Sequence, residues 1–243
     1  MIVVTFAERP DLDDRLGEIG DPWPEFIHHG DVTSRLWGRL YDEFLEHQLA
    51  LHDDVADAVA GRGHTIPVVW DGAVEGLPAG VDDALERGVR EGATALCAIV
   101  VVVDPALQGR GFSGTIIEGM RSVAARHGLS DLIAPVRPTW KSRYPLTPME
   151  RYVHWRREDG LPFDPWIRLH ERLGAEILAV CPESLVVTGT VADWEEWTGM
   201  AFPESGLYVV EGALVPVEID RAGDIGRYVE PNVWMRHRAR RAG

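Results

Sequence analysis

The sequence predicts an α+β fold: a central mixed β-sheet flanked by helices, in one domain with a β-rich extension at its carboxyl end. Three observations predict it. Residues 95–136 run strand, glycine loop, helix, strand, the order of a crossover that joins two parallel strands. Residues 2–6 and 49–71 are rich in the β-branched and aromatic residues that suit strands. The last third of the chain carries the same signature at 175–180, 185–191, 207–219 and 229–236.

In chain order, residues 2–6 form a first strand, and Asp11 caps a helix over 11–16. Residues 33–46 make a stronger helix, because Leu36, Leu40 and Phe44 recur every four positions with Trp37 and Tyr41 one place on. A strand pair fills 49–71, where Pro67 marks an edge or a bulge. A short surface helix over 81–91 follows the loop 76–80. The Val-rich stretch 95–103 is far too short to cross a bilayer and reads as a buried strand. The helix 115–127 stops at Gly128, a common residue just past a helix end, and 131–136 is the next strand. Residues 137–163, rich in Pro, Trp, Tyr and Arg, read as an insertion with a helix over 148–158. Asp164 caps, and Pro165 opens, a helix that ends before Gly174. A short helix at 193–198 sits among the late strands, and the basic run 236–241 reads as a frayed tail. The main domain thus spans 1–191, and 192–243 is a β extension packed on it. There is no internal repeat.

Composition narrows the function. Hydrophobic residues are 45% of the 243, enough for a core of useful size. Two cysteines make no disulfide framework and no zinc spacing, which fits a reducing cytoplasm. His28, His29, His47 and His52 make no metal constellation, so no metal is expected. The net charge of −15 argues against nucleic-acid or anionic-membrane partners and permits a cationic acceptor, although solubility alone accounts for such a balance.

The chemistry-bearing signal is Val101-Val102-Val103-Asp104-Pro105-Ala106-Leu107-Gln108-Gly109-Arg110-Gly111-Phe112-Ser113, leading straight into a helix. A helix start presents unpaired N–H groups and partial positive charge, and glycines before it let backbone approach a phosphate closely. Together they make an anion cradle suited to a pyrophosphate, with Arg110 able to add a charge-assisted bond. The absence of Gly-Lys-Ser/Thr excludes a P-loop, and Gly-x-Gly-x-x-Gly with its distant acid is also missing.

Gln108-x-x-Gly111-x-Ser113 after a strand ending Val103-Asp104-Pro105 resembles motif A of the GNAT (GCN5-related N-acetyltransferase) superfamily, with Ser113 where the family has Gly or Ala. The resemblance covers roughly residues 2–191. It implies a GNAT fold whose parallel pair is splayed, acyl-CoA as co-substrate, and an acyltransferase, most simply acetyl transfer to an amine. It also implies that Val101, Val102 and Val103 pair with the pantetheine arm, that Gln108, Gly109, Arg110, Gly111, Phe112 and Ser113 hold the pyrophosphate, and that the N–H of Val102 or Val103 polarises the thioester carbonyl. The family's late Tyr-x-x-x-Gly-Phe corresponds to His170-Glu171-Arg172-Leu173-Gly174-Ala175, which puts His170 beside the leaving sulfur, where an imidazole can protonate a thiolate.

The stretch from Asp164 to Ile177 is closest to GNAT-like loading domains of polyketide synthases and to nitrilase-fused GNAT domains. In the former, this histidine and an upstream threonine assist malonyl-CoA decarboxylation. Val136 stands at that threonine's place here, followed by Arg137, with Thr139 nearby. Decarboxylation or carrier-protein S-acyl transfer is therefore the alternative, and a non-catalytic CoA-binding protein a second. Candidates for the general base are His64, Glu150 and His154. Trp140, Tyr144, Trp155 and Trp166 are candidates to line an acceptor pocket. The late strands leave a homodimer open.

Overall fold

The computed structural model describes residues 1–239. Among these, nine strands form one sheet: β1 (Ile2–Thr5), β2 (Leu49–Asp53), β3 (Ala58–Val68), β4 (Ala95–Val103), β5 (Asp131–Val136), β6 (Glu176–Gly189), β7 (Gly206–Tyr208), β8 (Val217–Asp220) and β9 (Ile225–Arg238). The order is β1-β2-β3-β4-β5-β9-β8-β7, with β6 alongside β9. Only β4 and β5 pair in parallel. The helices are α1 (Thr33–Leu36), α2 (Arg39–Asp42), α3 (Val81–Arg87), α4 (Phe112–Arg126), α5 (Met149–Tyr152), α6 (Pro165–Arg172) and α7 (Val191–Thr198). None is long and apolar enough to cross a membrane among the described residues.

The sheet separates two main cores. On one face α4 packs Ile116, Met120 and Val123 against Leu96 and Leu132. On the other, α2 and α3 bury Leu40, Ala84 and Leu85 against Ile66, Cys97 and Trp234. The alternation of β4 changes hand partway. Cys97 and Ile99 face the α2–α3 side and Ala98 the α4 side, yet beyond them Val101 and Val103 face α4. The cause is a bulge: pairing with β3 passes from Thr65↔Ala98 to His64↔Val100, leaving Ile99 as the extra residue.

β9 organises the second half of the sheet. One edge pairs with β6, and the other with β5 over Val233–Arg238 and with β8 near its start. The segment expected as an extension therefore supplies a strand that lies directly beside β5. Arg236, His237 and Arg238 are ladder residues rather than a frayed tail, while Arg240 and Arg241 lie outside the described residues. Between the stretches that meet β5 and β8, residues 228–232 have no strand on that edge among the described residues.

Several expected elements are shorter or differently divided. The helix expected over 33–46 is two single turns, because Leu40 and Tyr41 donate to carbonyls three rather than four residues back at the Trp37–Gly38 joint. The helix over 11–16 is replaced by turns at Pro10–Leu12 and Leu16–Glu18, where Asp11 pairs with Arg9 and caps nothing. Of the helix expected over 148–158 a single turn, α5, is present, and the insertion adds a 3-10 turn at Lys141–Arg143. The strands expected at 175–180 and 185–191 are one strand, β6, dislocated between Cys181 and Leu185. Asp164 caps α6 as expected and also ties down the insertion: its carboxylate accepts from Trp166 and Ile167 N–H, from Trp140 N–H at 2.8 Å and from the Tyr152 hydroxyl at 2.9 Å.

Candidate active site

The parallel pair is short. β4 and β5 are bonded only over Ala95↔Asp131, Leu96↔Leu132 and Cys97↔Ile133. At Ala98 they part, level with the bulge at Ile99. The opening is a cleft of about 900 Å³ walled by residues 98–103 of β4 and 134–136 of β5. Backbone polarity follows from the β3–β4 ladder. The Asp104 N–H donates to the Ala60 carbonyl at 3.0 Å, so alternation assigns the N–H groups of Val102 and Val100 to β3. Val101 and Val103 turn their N–H and C=O groups the other way, toward the cleft. Of the two N–H groups expected to polarise a carbonyl, that of Val102 is therefore already engaged, and Val103's is free to face the opening.

The glycine loop stands at the mouth of this cleft. Asp104 begins it by accepting from the Ala106 N–H at 2.7 Å, and the Gln108 amide reaches back to the Val103 carbonyl at 3.4 Å. Gly109 (φ +77°) and Gly111 (φ +86°) occupy the left-handed region, and a Cβ on either would meet nothing within 4 Å. Glycine is thus required there by backbone conformation, not by crowding. Gly114 and Thr115 N–H groups turn back to the Gly111 carbonyl, whereas the five N–H groups from Gly109 to Ser113 have no protein acceptor among the described residues. Such a run at the start of the 15-residue helix α4 has the geometry expected of an anion cradle.

Of the expected cofactor residues, Val101, Val102, Val103, Gln108, Gly109 and Ser113 line the cleft. Arg110 and Gly111 are exposed just outside it, and Phe112 packs on the α4 core. His170 also lines the cleft, presented by α6. It is 3% exposed; its Nδ1 lies 2.8 Å from His237 Nε2, and its own Nε2, also buried, has no partner among the described residues. Burial, and then His237, push its pKa down to about 3. It is neutral at pH 7, so whatever it donates comes from the neutral imidazole.

The other expected catalytic residues are not at the cleft. His64 is fully buried under Trp37 and Tyr41, bonded to Tyr41 Oη at 3.3 Å and Gln48 Oε1 at 3.2 Å, and burial pushes its pKa down to about 3. Its alternation on β3 sends it into that core. Glu150 sits exposed on α5 beside a separate shallow depression, and His154 is exposed on the same insertion. Of the four candidate pocket aromatics only Trp166 reaches the cleft; Tyr144 and Trp155 pack edge to face at 4.9 Å, and Trp140 does so on Phe163 at 5.4 Å, forming the insertion's own core.

The cleft also has walls that local motif reading missed: Trp23, Trp37, Arg137, Glu230 and Asn232. Glu230 and Asn232 are 3% and 2% exposed and lie in the β9 stretch that lacks a neighbour strand. The available signal was two polar residues at a two-residue spacing inside the apolar run Val229-Glu230-Pro231-Asn232-Val233-Trp234.

Two solved structures share this architecture. The loading GNATL domain of CurA from Lyngbya majuscula superposes with a TM-score of 0.59 at 17% identity, covering 98% of this chain and 97% of that one. The GNAT-like decarboxylase GphF, in complex with isobutyryl-CoA, gives 0.54 at 17% identity, covering 99% and 100%. No family model matches the chain. In sequence, the arginine N-acetyltransferase avaD of Aspergillus versicolor is 32% identical over 268 aligned positions, 96% of this chain and 92% of that protein.

The chain belongs to the GNAT superfamily. It is an acyl-CoA-dependent N-acyltransferase, and the parting of β4 from β5 is the GNAT splay expected from the motif.

Proposed function

We propose that this GNAT enzyme transfers an acetyl group from acetyl-CoA to the amine of a small acceptor, with arginine, named for its relative, as the first candidate. The observation that carries the reading is the run of five unengaged N–H groups at residues 109–113, set at the mouth of a cleft where two parallel strands separate. The cradle takes the diphosphate. The cleft-facing groups of Val101 and Val103 pair with the pantetheine amides, as an added strand would. The acceptor's neutral amine attacks the thioester carbon, a cleft-facing N–H of β4 steadies the developing oxyanion, and the carbon–sulfur bond breaks to release CoA thiolate. Neutral His170 donates a hydrogen bond from Nε2 to that sulfur; the amine's proton leaves to solvent. Both cysteines are free and buried, in keeping with a reducing compartment such as the cytoplasm.

Thermal-shift titration with acetyl-CoA and malonyl-CoA, followed by thiol release against an amine panel, tests this. Acetyl-CoA should raise the melting temperature, since a ligand that binds only the native state stabilises it, and arginine should release thiol. Carbon dioxide from malonyl-CoA without any amine would instead favour a decarboxylase, for which Val136 supplies no hydroxyl.

A further inference from the structure

Buried in the cleft wall is an ion pair that the chemistry above leaves unused. Arg137, just past the end of β5, donates from Nε to Glu230 Oε2 at 2.9 Å and from one terminal nitrogen, Nη2, to the Gly212 carbonyl at 2.7 Å. Its guanidinium lies over the Trp23 ring at 5.5 Å. The same Glu230 oxygen takes the Tyr228 hydroxyl at 2.8 Å. Three contacts thus fix the plane of the guanidinium, yet its other terminal nitrogen, Nη1, donates to no acceptor among the described residues. The Arg137 side chain is 18% exposed, and the surface it shows lines the cleft. An ion pair at such a site is weak as a source of stability, because desolvation offsets the attraction. A guanidinium held in plane with Nη1 left without an acceptor is, however, suited to donate to an anion in the cleft.

We propose that Arg137 Nη1 binds the carboxylate of the acceptor, so that this enzyme acts on α-amino acids in preference to simple amines. The inference rests on the acetyl-transfer reading, whose acceptor it narrows. Glu230 is the positioning residue. It aims the guanidinium and balances its charge, so that the wall suits a singly charged carboxylate better than a phosphate. Arg137 directly follows Val136 on the strand that bounds the splay, which places an amine adjacent to the bound carboxylate near the thioester. Asn232 on the same wall has a buried Oδ1 without a partner among the described residues, while its Nδ2 donates to Ser184.

The test uses amino acids and their decarboxylated counterparts: arginine against agmatine, ornithine against putrescine, lysine against cadaverine. Calorimetric binding to the CoA-loaded protein and kcat/KM with acetyl-CoA are both measured. At least one amino acid should bind and react ten-fold or more better than its amine. Arg137→Gln should erase that preference, raising KM for the amino acid about ten-fold while altering the amine far less. Its CoA-induced thermal shift should match wild type, which reports an intact fold; if that variant does not fold, the wild-type amino acid/amine ratio decides, together with Arg137→Lys, which keeps the charge without the planar guanidinium and should lose most of the preference. Equal use of both members of every pair, or binding of none, overturns the proposal. Amino-acid-selective binding without any acetylation would uphold the subsite and sink the transferase reading instead.

Discussion

At the scale of single residues, the histidine pair in the cleft wall is the most informative feature. His170 Nδ1 and His237 Nε2 are 2.8 Å apart, and one of the two must carry the shared proton. Arg121 lies close enough to His237 to depress its pKa, after burial, to about 4. A productive arrangement has the His237 proton on Nε2, donated to His170 Nδ1. His170 then carries its own proton on Nε2, as a hydrogen-bond donor to a thiolate must. A hydrogen bond to a charged group contributes about 1.5–3 kcal/mol, or roughly ten- to hundred-fold in rate. His170→Phe should lower kcat by that factor with KM for acetyl-CoA little changed; unaltered turnover would remove the role. His237→Phe should lower kcat less, and His237→Gln, which can still donate to Nδ1, should recover most of it. If the Gln variant is no better than Phe, the pair is packing and nothing more.

At the scale of elements, the bulge in β4, the splay and the glycine loop act as one device: the bulge turns the strand, the splay opens beside it, and the loop places bare amides at its mouth. Gly111 is the joint, since a left-handed residue begins α4. Gly111→Ala should cost about 1–2 kcal/mol in that conformation, a few degrees of melting temperature, and should disturb the amides proposed to hold the diphosphate. Weaker use of acetyl-CoA with unchanged use of S-acetyl-pantetheine, which has no diphosphate, would locate the loss at the loop; equal weakening of both would not. This element was legible in the sequence because its signals are local: the Val-rich run 95–103 and the stretch 131–136 match β4 and β5 residue for residue, and glycines mark the turn. What the sequence concealed depends on long-range pairing. The four-residue repeat of Leu36, Leu40 and Phe44 is real burial, yet the tertiary core accepts two separate turns there as readily as one helix. His64 was one of three candidates for the base, and the register of β3 turns it into the core beside Trp37 and Tyr41 rather than into the cleft. Glu230 and Asn232 became cleft residues through the gap between β5 and β8, which no local motif announces.

At the scale of the whole molecule, the buried histidines tie stability to pH. Burial is the first cause in each case: His47 and His237 are depressed to about 4, His64 and His170 to about 3. An unfolded chain takes up these protons near pH 6.5, whereas the native protein does not until far lower. Stability is therefore fully present above about pH 6.5 and falls as acid is added toward the folded-state values. The slope is up to about 1.4 kcal/mol per pH unit for each proton by which the unfolded chain leads. Because His170 and His237 share a proton, they titrate as a pair, and the slope belongs to the set rather than to four independent sites. Urea midpoints measured from pH 7.5 to pH 5 should fall steadily below pH 6.5. His64→Gln, which keeps a polar side chain beside Tyr41 but cannot gain a proton, should give a shallower fall between those limits, whatever its stability at pH 7.5. A midpoint that stays flat to pH 5 in the unaltered protein would mean that these rings already reach water, and the neutral His170 on which the proposed thiolate contact depends would go with it.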